Sequence, residues 1–577
     1  MLALKDIKTN YGNLEGIAAF KGNIIGNKDD FNVKGEGEIF DAKTNLSLHV
    51  KNQKPTAINI HSSGLHIEKI LALLNQPIYS KGLVDVDANL QPTTGDKLIG
   101  AGKINIHFGQ LDAKVVENQF KLRIPENVTY RGDIVFNLAE DKVVAQSSVV
   151  SNLLKIDTTK TIFMLDSQKL FSDFTLSIPN LSALKEIIGI DLFGNIQVQG
   201  DITKVADDLE INANSQMLGG AMSAKLQNDT ASIKLSKMYV SELLKMFRQE
   251  AYSNGVLDST IEISSLKNLD FQSLTNITDA TFDVNTLEKL LKKENVPEIP
   301  YTLEVKASGH DKLIEINSAF KSSFGNFDVS QTNYDIDKKL LYGKYTLHVN
   351  SLKKLSFLTG KELDAKFDTT GEFKYDQGSF TLNGLSDFLD SKTQYTLANN
   401  LFTLNANELA IQNITNMLHY PKVFESYSSA VLNYDLEKSE GNFTVQTLNG
   451  KLTQSELSTL VGALLKFDIA QEIYTKGELK GLINHENIDF SVLLNGLNSN
   501  FTLSEGKVNT KQESVYGKFN VKVKNKDVSG VIKGTLGSPK ISINNSDYLK
   551  EKLDKQIDKH VPDEWKAPVK NLLKLFD

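Results

Sequence analysis

The dipeptide His485–Glu486 begins as a zinc-protease helix would, but "HENIDF" has no second histidine to complete H-E-x-x-H. "GEGEIF" from Gly35 is a glycine-opened strand, not a strand-linked G-x-G-x-x-G, and no G-x-x-x-x-G-K-[ST] occurs. Neither "DLFGN" (Asp191–Asn195) nor "LDST" (Leu257–Thr260) forms the G-x-S-x-G elbow of a serine hydrolase. Asp85 and Asp87 are close carboxylates, but alternation along a strand puts such pairs together on the wet face. The nine histidines are scattered, so each reads as a strand or turn residue and not as a ligand. The absence of cysteine excludes disulfides, thiolate zinc sites and cysteine nucleophiles together. "EGNFT" (Glu440–Thr444) fits the acid-x-Asn-x-Thr acceptor pattern of bacterial N-glycosylation. No catalytic constellation results. The expectation is a protein that is not an enzyme and uses no cofactor and no metal.

With chemistry set aside, the chain must be read for what its elements build. Its 577 residues, 40% hydrophobic and 23% charged, suffice for a large buried surface but exceed one ordinary core. A repeated architecture or several domains must follow. A net charge of -7 leaves no basic field for nucleic acid, and no motif serves a nucleotide. No run of about 18 apolar residues spans a bilayer. The start, "MLALKDIKTNYGN", lacks the charged and apolar regions of a signal peptide. It opens in strand-like pattern, so the expectation is a fragment whose targeting segment lies upstream.

Short alternating runs dominate. "LVDVDANL" places Val84 and Val86 on one face, "YTLEVKA" Tyr301, Leu303 and Val305, "KYTLHVN" Leu347 and Val349, and "GKFNVKVKN" Phe519 and Val521. Turn signals such as "GNKDD", "YDQGS" and "KNKD" recur about every ten residues. That is antiparallel β, apolar on one face and wet on the other.

One stretch behaves differently. "NLSALKEIIGIDLFGNIQVQGDI" (Asn180–Ile202) begins with helical spacing, stops at Gly189, and continues as a strand through Ile196 and Val198. The same helix-to-strand order predicts helices near 65–75, 180–189, 239–249, 283–293, 350–359, 409–419 and 452–466, spaced about 45 to 65 residues apart. The one gap of about 115 residues has room for a degenerate copy. The unit is several strands plus one short helix, copied seven or eight times, and such units bury little until neighbours stack.

A long sheet with one apolar face cannot leave that face in water, and strand twist makes it coil. The fold class expected is mainly β: an elongated, twisted antiparallel β-groove built of repeats over 1–545, with short helices at repeat boundaries. An amphipathic helical segment follows at 546–577. There Leu549, Leu553 and Ile557 form one stripe and Val569, Leu572, Leu573 and Phe576 a second. Those stripes are either a cap on the last open strand or a docking surface for a membrane or partner. A closed sandwich would need linkers, and none is visible. A transmembrane barrel would not carry inserted helices.

The helix-to-strand unit, together with "VSGVIKGTLGSPKISINN" (Val528–Asn545), resembles the AsmA-like family of bacterial envelope proteins, the TamB and YhdP type. The phrase G-x-l-x-G-T-L-x-x-P-x-I, here closing at Ile541, ends many such chains. The resemblance covers the whole chain as a pattern. It implies a repeating β-groove in the periplasm of a Gram-negative bacterium, carrying phospholipids between inner and outer membranes and meeting membranes or envelope proteins at its ends. Family members begin with an inner-membrane helix, absent here, so a tether outside this chain is expected. The lining expected of the groove is Val84, Val86, Ile196, Val198, Tyr301, Leu303, Val305, Leu347, Val349, Phe519 and Val521. Two rivals stand beside lipid transport: a scaffold assisting outer-membrane protein assembly, and a passive structural β rod.

Overall fold

The computed structural model describes residues 2–3, 8–9, 12–13, 17–39, 41–52, 54–93 and 97–544. The C-terminal stripes, from Leu549 to Phe576, lie outside the described residues. The chain is mainly β and antiparallel, with a few short helices. It divides into two units, Met1–Thr286 and Leu287–Asp577.

In the first unit sixteen strands, from Ile17–Asn27 to Asp270–Thr281, follow one another as a meander. Each pairs with the strand before and the strand after it, and among the described residues the first and last do not pair, so the sheet stays open. The second unit repeats this plan with sixteen strands, from Pro300–His310 to Ser538–Ile543. Tight turns make the meander possible. Asn228 and Asn399 sit at φ 54° and 51° in two-residue turns, where the short amide side chain tolerates the left-handed region that hairpin twist demands.

Among the described residues eight short α-helices interrupt the strands: α1 (Ile67–Leu73), α2 (Ala113–Phe120), α3 (Lys185–Ile188), α4 (Val240–Met246), α5 (Val284–Leu291), α6 (Ser356–Thr359), α7 (Ile411–Met417) and α8 (Glu456–Leu465). A 3-10 turn leads into α3 (Leu181–Leu184) and into α6 (Leu352–Leu355). Local chemistry sets their ends. Asp112 caps α2 by accepting the Val115 N–H, and Ser455 and Ser458 form a reciprocal capping box on α8. Gly189 and Gly360, at φ 75° and 71°, stop α3 and α6.

The helix positions reveal a longer period than helix spacing alone. Helices α1, α4 and α7 begin 173 and 171 residues apart; α2, α5 and α8 begin 171 and 172 apart; α3 and α6 begin 171 apart. Two strands separate the first pair of each set, four the next and four the next. The recurring unit is therefore ten strands and three different helices in about 171 residues. Helix α2 fills the long gap in the sequence spacing.

All these helices follow strands running in the same direction within their unit, so each sheet has a helix edge and a hairpin edge. Along the helix edge successive insertions bond to one another. Asp112 N–H donates to Tyr79 O (2.9 Å), Phe193 N–H to Met246 O (2.7 Å) and Asp283 N–H to Tyr252 O (2.9 Å). In the second unit Asp364 N–H donates to Met417 O (3.1 Å) and Thr453 N–H to Val423 O (3.2 Å), the same links one repeat later. Packing follows: Val116 of α2 meets Leu153, and Leu184 and Ile187 close over the same cluster.

The sheet of the second unit coils. Lys361, on the helix edge just after α6, meets Glu513 at 2.8 Å in the hairpin-edge turn that precedes Ser514–Val523. Nine strand steps at roughly 20–25° each rotate the strand direction by about 200°, which brings opposite edges together.

Candidate functional site: an apolar inner face

Alternation fixes two faces on every strand, and register decides what each face presents. In the second unit Leu303 stands opposite Phe320, Phe320 opposite Phe327, and Phe327 opposite Leu347. The expected lining residues Leu303 and Leu347, three strands apart, thus belong to one apolar row. Ile196 and Val198 oppose Ile178 and Leu176, and Val84 and Val86 oppose Ile106 and Ile104. These two pairs sit on separate stretches of the first unit's inner face and do not meet.

Burial splits the expected lining in two. Val84, Tyr301, Val349, Phe519 and Val521 are buried. Val86, Ile196, Val198, Leu303, Val305 and Leu347 are half-buried. The helices explain the split, because they cover the inner face beside the helix edge. Phe519 and Val521, 2% and 0% exposed, belong to a core with Leu457 and Val461 of α8, Ile469 and Tyr474. These two positions are packed interior. Toward the hairpin edge no helix among the described residues covers the face, and Phe373, Leu382, Phe402, Ile483 and Ile488 stay half-exposed.

Between the covered and open margins runs a row that the sequence reading passed over. From Val329 it continues strand by strand through Tyr345, Gly371, Gly384, Tyr395, Leu404, Leu432, Phe443, Gly481 and Phe490 to Gly506. Its glycines lie under aromatic rings. A Cβ on Gly481 would stand 2.3 Å from Phe443 Cζ, and one on Gly384 2.1 Å from Tyr395 Cζ. Each ring therefore lies along the sheet, filling the space its neighbour leaves. The available signal was a glycine inside an alternating strand, which marks close approach of another group.

The phenols of this row are satisfied within the face. Tyr345 Oη and Tyr395 Oη are 2.9 Å apart, Tyr345 donates to Asn383 O at 3.1 Å, and Thr369 Oγ1 lies 2.8 Å from Tyr395 Oη. Burial, then the Tyr395 hydroxyl, drives the Tyr345 phenol far above its ordinary pKa, so it stays neutral. No charge enters the row.

The close carboxylates singled out in the sequence, Asp85 and Asp87, each have a histidine partner. Asp85 meets His107 at 2.6 Å and accepts from the Gly64 N–H and Ser63, while Asp87 meets His61 at 2.9 Å. Burial works to raise the Asp85 pKa, but its hydrogen bonds outweigh burial and hold it below the usual value. These two carboxylates serve separate partners and form no acid–base dyad. A hollow of 650 Å³ at the helix edge is lined by Asp364, Asp368, Asp390, Asn413 and Met417. Among the described residues no group of three acids or histidines is placed to hold a metal, and no helix is long and apolar enough to cross a membrane. Comparison with protein-family models, with curated proteins and with solved structures finds no match.

Proposed function

We propose that this chain is an envelope lipid carrier of the AsmA-like kind, conducting glycerophospholipids along its inner face between the inner and outer membranes. On this reading it works in the periplasm and supports outer-membrane lipid homeostasis. The observation that carries it is an apolar row unbroken from Val329 to Gly506 in the second unit, on a face covered by α8 beside the helix edge and half-exposed toward the hairpin edge. Each CH2 brought into water costs about 0.8 kcal/mol. A two-chain lipid crossing water therefore needs a continuous apolar path, and no reacting group. A single deep pocket would not suffice, because the lipid must leave as well as enter.

The test is detergent-free purification from a bacterial host, with bound phospholipid identified by mass spectrometry. Several phospholipids per chain are expected, together with their loss in Leu347→Asp, whose melting curve stays close to wild type because Leu347 is half-buried. A folded chain free of lipid would overturn the proposal in favour of a packed β rod. Unfolding by Leu347→Asp would assign that position to a closed core.

A further inference from the structure

On the outer face of the last four strands of the second unit, charge of one sign collects. Residues 505–544 hold eight lysines and three acids, in a chain whose net charge is -7. Register places them. Lys507, Tyr516, Lys533 and Lys540 stand directly opposite one another on Ser499–Asn509, Ser514–Val523, Lys526–Thr535 and Ser538–Ile543. Lys518 and Lys522 share that face, because Phe519 and Val521, which alternate with them, point into the core. Lys524 and Lys526 flank the turn at its helix-edge end. All seven lysines are exposed. Three acids moderate the patch: Glu505 pairs with Lys518 at 2.7 Å, and Asp489 and Asp527 stand opposite Lys507 and Lys522. Among the described residues Lys524, Lys526, Lys533 and Lys540 form no ion pair.

The pair Lys533–Lys540 is the telling one. Like charges directly opposite on neighbouring strands destabilise a sheet, so folding alone gives no reason to put them there. Lysine and proline on an open edge strand do guard it against stray pairing, which accounts for Lys540 and Pro539. That explanation does not reach Lys522, Lys524, Lys526 and Lys533, which lie inside the edge strand.

We propose that this outer face docks on an anionic bilayer surface, its lysines held among the phosphates of the head groups. The inference goes beyond lipid carriage and stands on charge. The choice of a bilayer over an acidic protein follows from composition and shape. The cores of protein interfaces are depleted in lysine, whereas a head-group layer attracts lysine without burying it. The patch holds lysine and no arginine, and arginine is the residue that grips a single phosphate with two bonds. Its charges are spread over a flat pleated face, about 14 Å across from Lys507 to Lys540, and not gathered in a pocket. Tyr516 stands exposed between Lys507 and Lys533, a residue type that favours the membrane–water boundary.

The experiment sediments the full chain with vesicles of phosphatidylcholine, alone or with one third phosphatidylglycerol. Binding to the anionic vesicles and not to the neutral ones is expected. Raising salt from about 0.1 M to about 1 M, which shortens the Debye length from about 10 Å to about 3 Å, should abolish it. A variant with Lys524, Lys526, Lys533 and Lys540 all changed to Gln should bind at least tenfold more weakly. A control with the exposed lysines 34, 204, 234 and 344 changed to Gln, equal in charge, should bind as wild type does. The patch variant should also melt at or above wild type, because it relieves the Lys533–Lys540 repulsion. No binding by wild type, equal binding to both vesicles, or undiminished binding by the patch variant overturns the proposal. A patch variant that melts well below wild type overturns it too, since the lysines would then serve the fold. Phospholipid counted in the purified chain is a separate readout, so the carrier reading stands or falls independently.

Discussion

Two tyrosines in equivalent places of the repeat show how much one hydroxyl decides. The Tyr130 hydroxyl lies 2.7 Å from Ser80 Oγ, at the start of its strand. In the last repeat Phe424 begins the corresponding strand, and among the described residues the buried Tyr474 hydroxyl has no hydrogen-bond partner. A buried hydroxyl without a partner has lost water and gained nothing, whereas a bonded one contributes about 1 kcal/mol. Tyr130→Phe should therefore lower stability by about 1 kcal/mol. Tyr474→Phe should leave the melting temperature unchanged or raise it. Thermal melts of the two variants decide the matter, and an equal loss in both would place a bound partner on Tyr474. The phenyl ring serves packing in either case, which is why a sequence pattern that records only an aromatic at this position treats the two alike.

At the scale of elements, the helices act as a rim and their mutual bonds hold it. Asp191, in the connector after α3, accepts from Ser182 Oγ at 2.8 Å and pairs with Arg248 Nε beyond α4 at 3.2 Å, and the guanidinium also lies over the Phe193 ring. The Ser182 hydrogen bond, then Arg248, holds the Asp191 carboxyl below its ordinary value of 3.8. A depressed carboxyl pKa stabilises the folded chain above the unfolded value, and that contribution disappears as pH falls through the folded one. Asp191→Asn should thus melt below wild type at pH 7, with the gap narrowing as pH falls below 3.8. A gap that stays constant over this range would assign Asp191 a purely structural role. The helices themselves were legible in the sequence, because capping residues, apolar spacing and a stopping glycine are local signals. Helix α2 was not read from "DAKVVENQF", which shows only a short apolar run. The longer period of about 171 residues was missed because it depends on telling three kinds of helix apart. The inner row was invisible for a different reason. Tyr345 and Gly371 are joined by register across a helical insertion, and alternation identifies a face without showing which part of it a helix will cover.

Considered as a whole molecule, a chain built this way holds its stability in neighbour contacts, since almost every strand touches only those beside it in sequence. In such repeats a local defect spreads as far as the shared core reaches. The second unit offers a clean place to test this. Val461 of α8 is fully buried among Ile469, Tyr474, Phe501 and Val521, so Val461→Asp places an unpaired charge in that core, a change that costs several kcal/mol. Hydrogen exchange should then lose protection from Glu440–Leu452 through Lys526–Thr535, the strands that α8 covers. Protection in Pro300–His310 and Leu313–Ser322 should persist, because their contacts are with each other and with Gly325–Asp335. The Lys361–Glu513 pair links elements nine strands apart, and it is exposed enough to hold little against such a defect. Uniform loss of protection across the unit would mean that the coil closes on itself more tightly than neighbour pairing provides. Under the carrier proposal, lipids would then have to pass along a path that changes all at once. Confined loss would instead mean that the strands under α8 yield separately from those at the start of the unit.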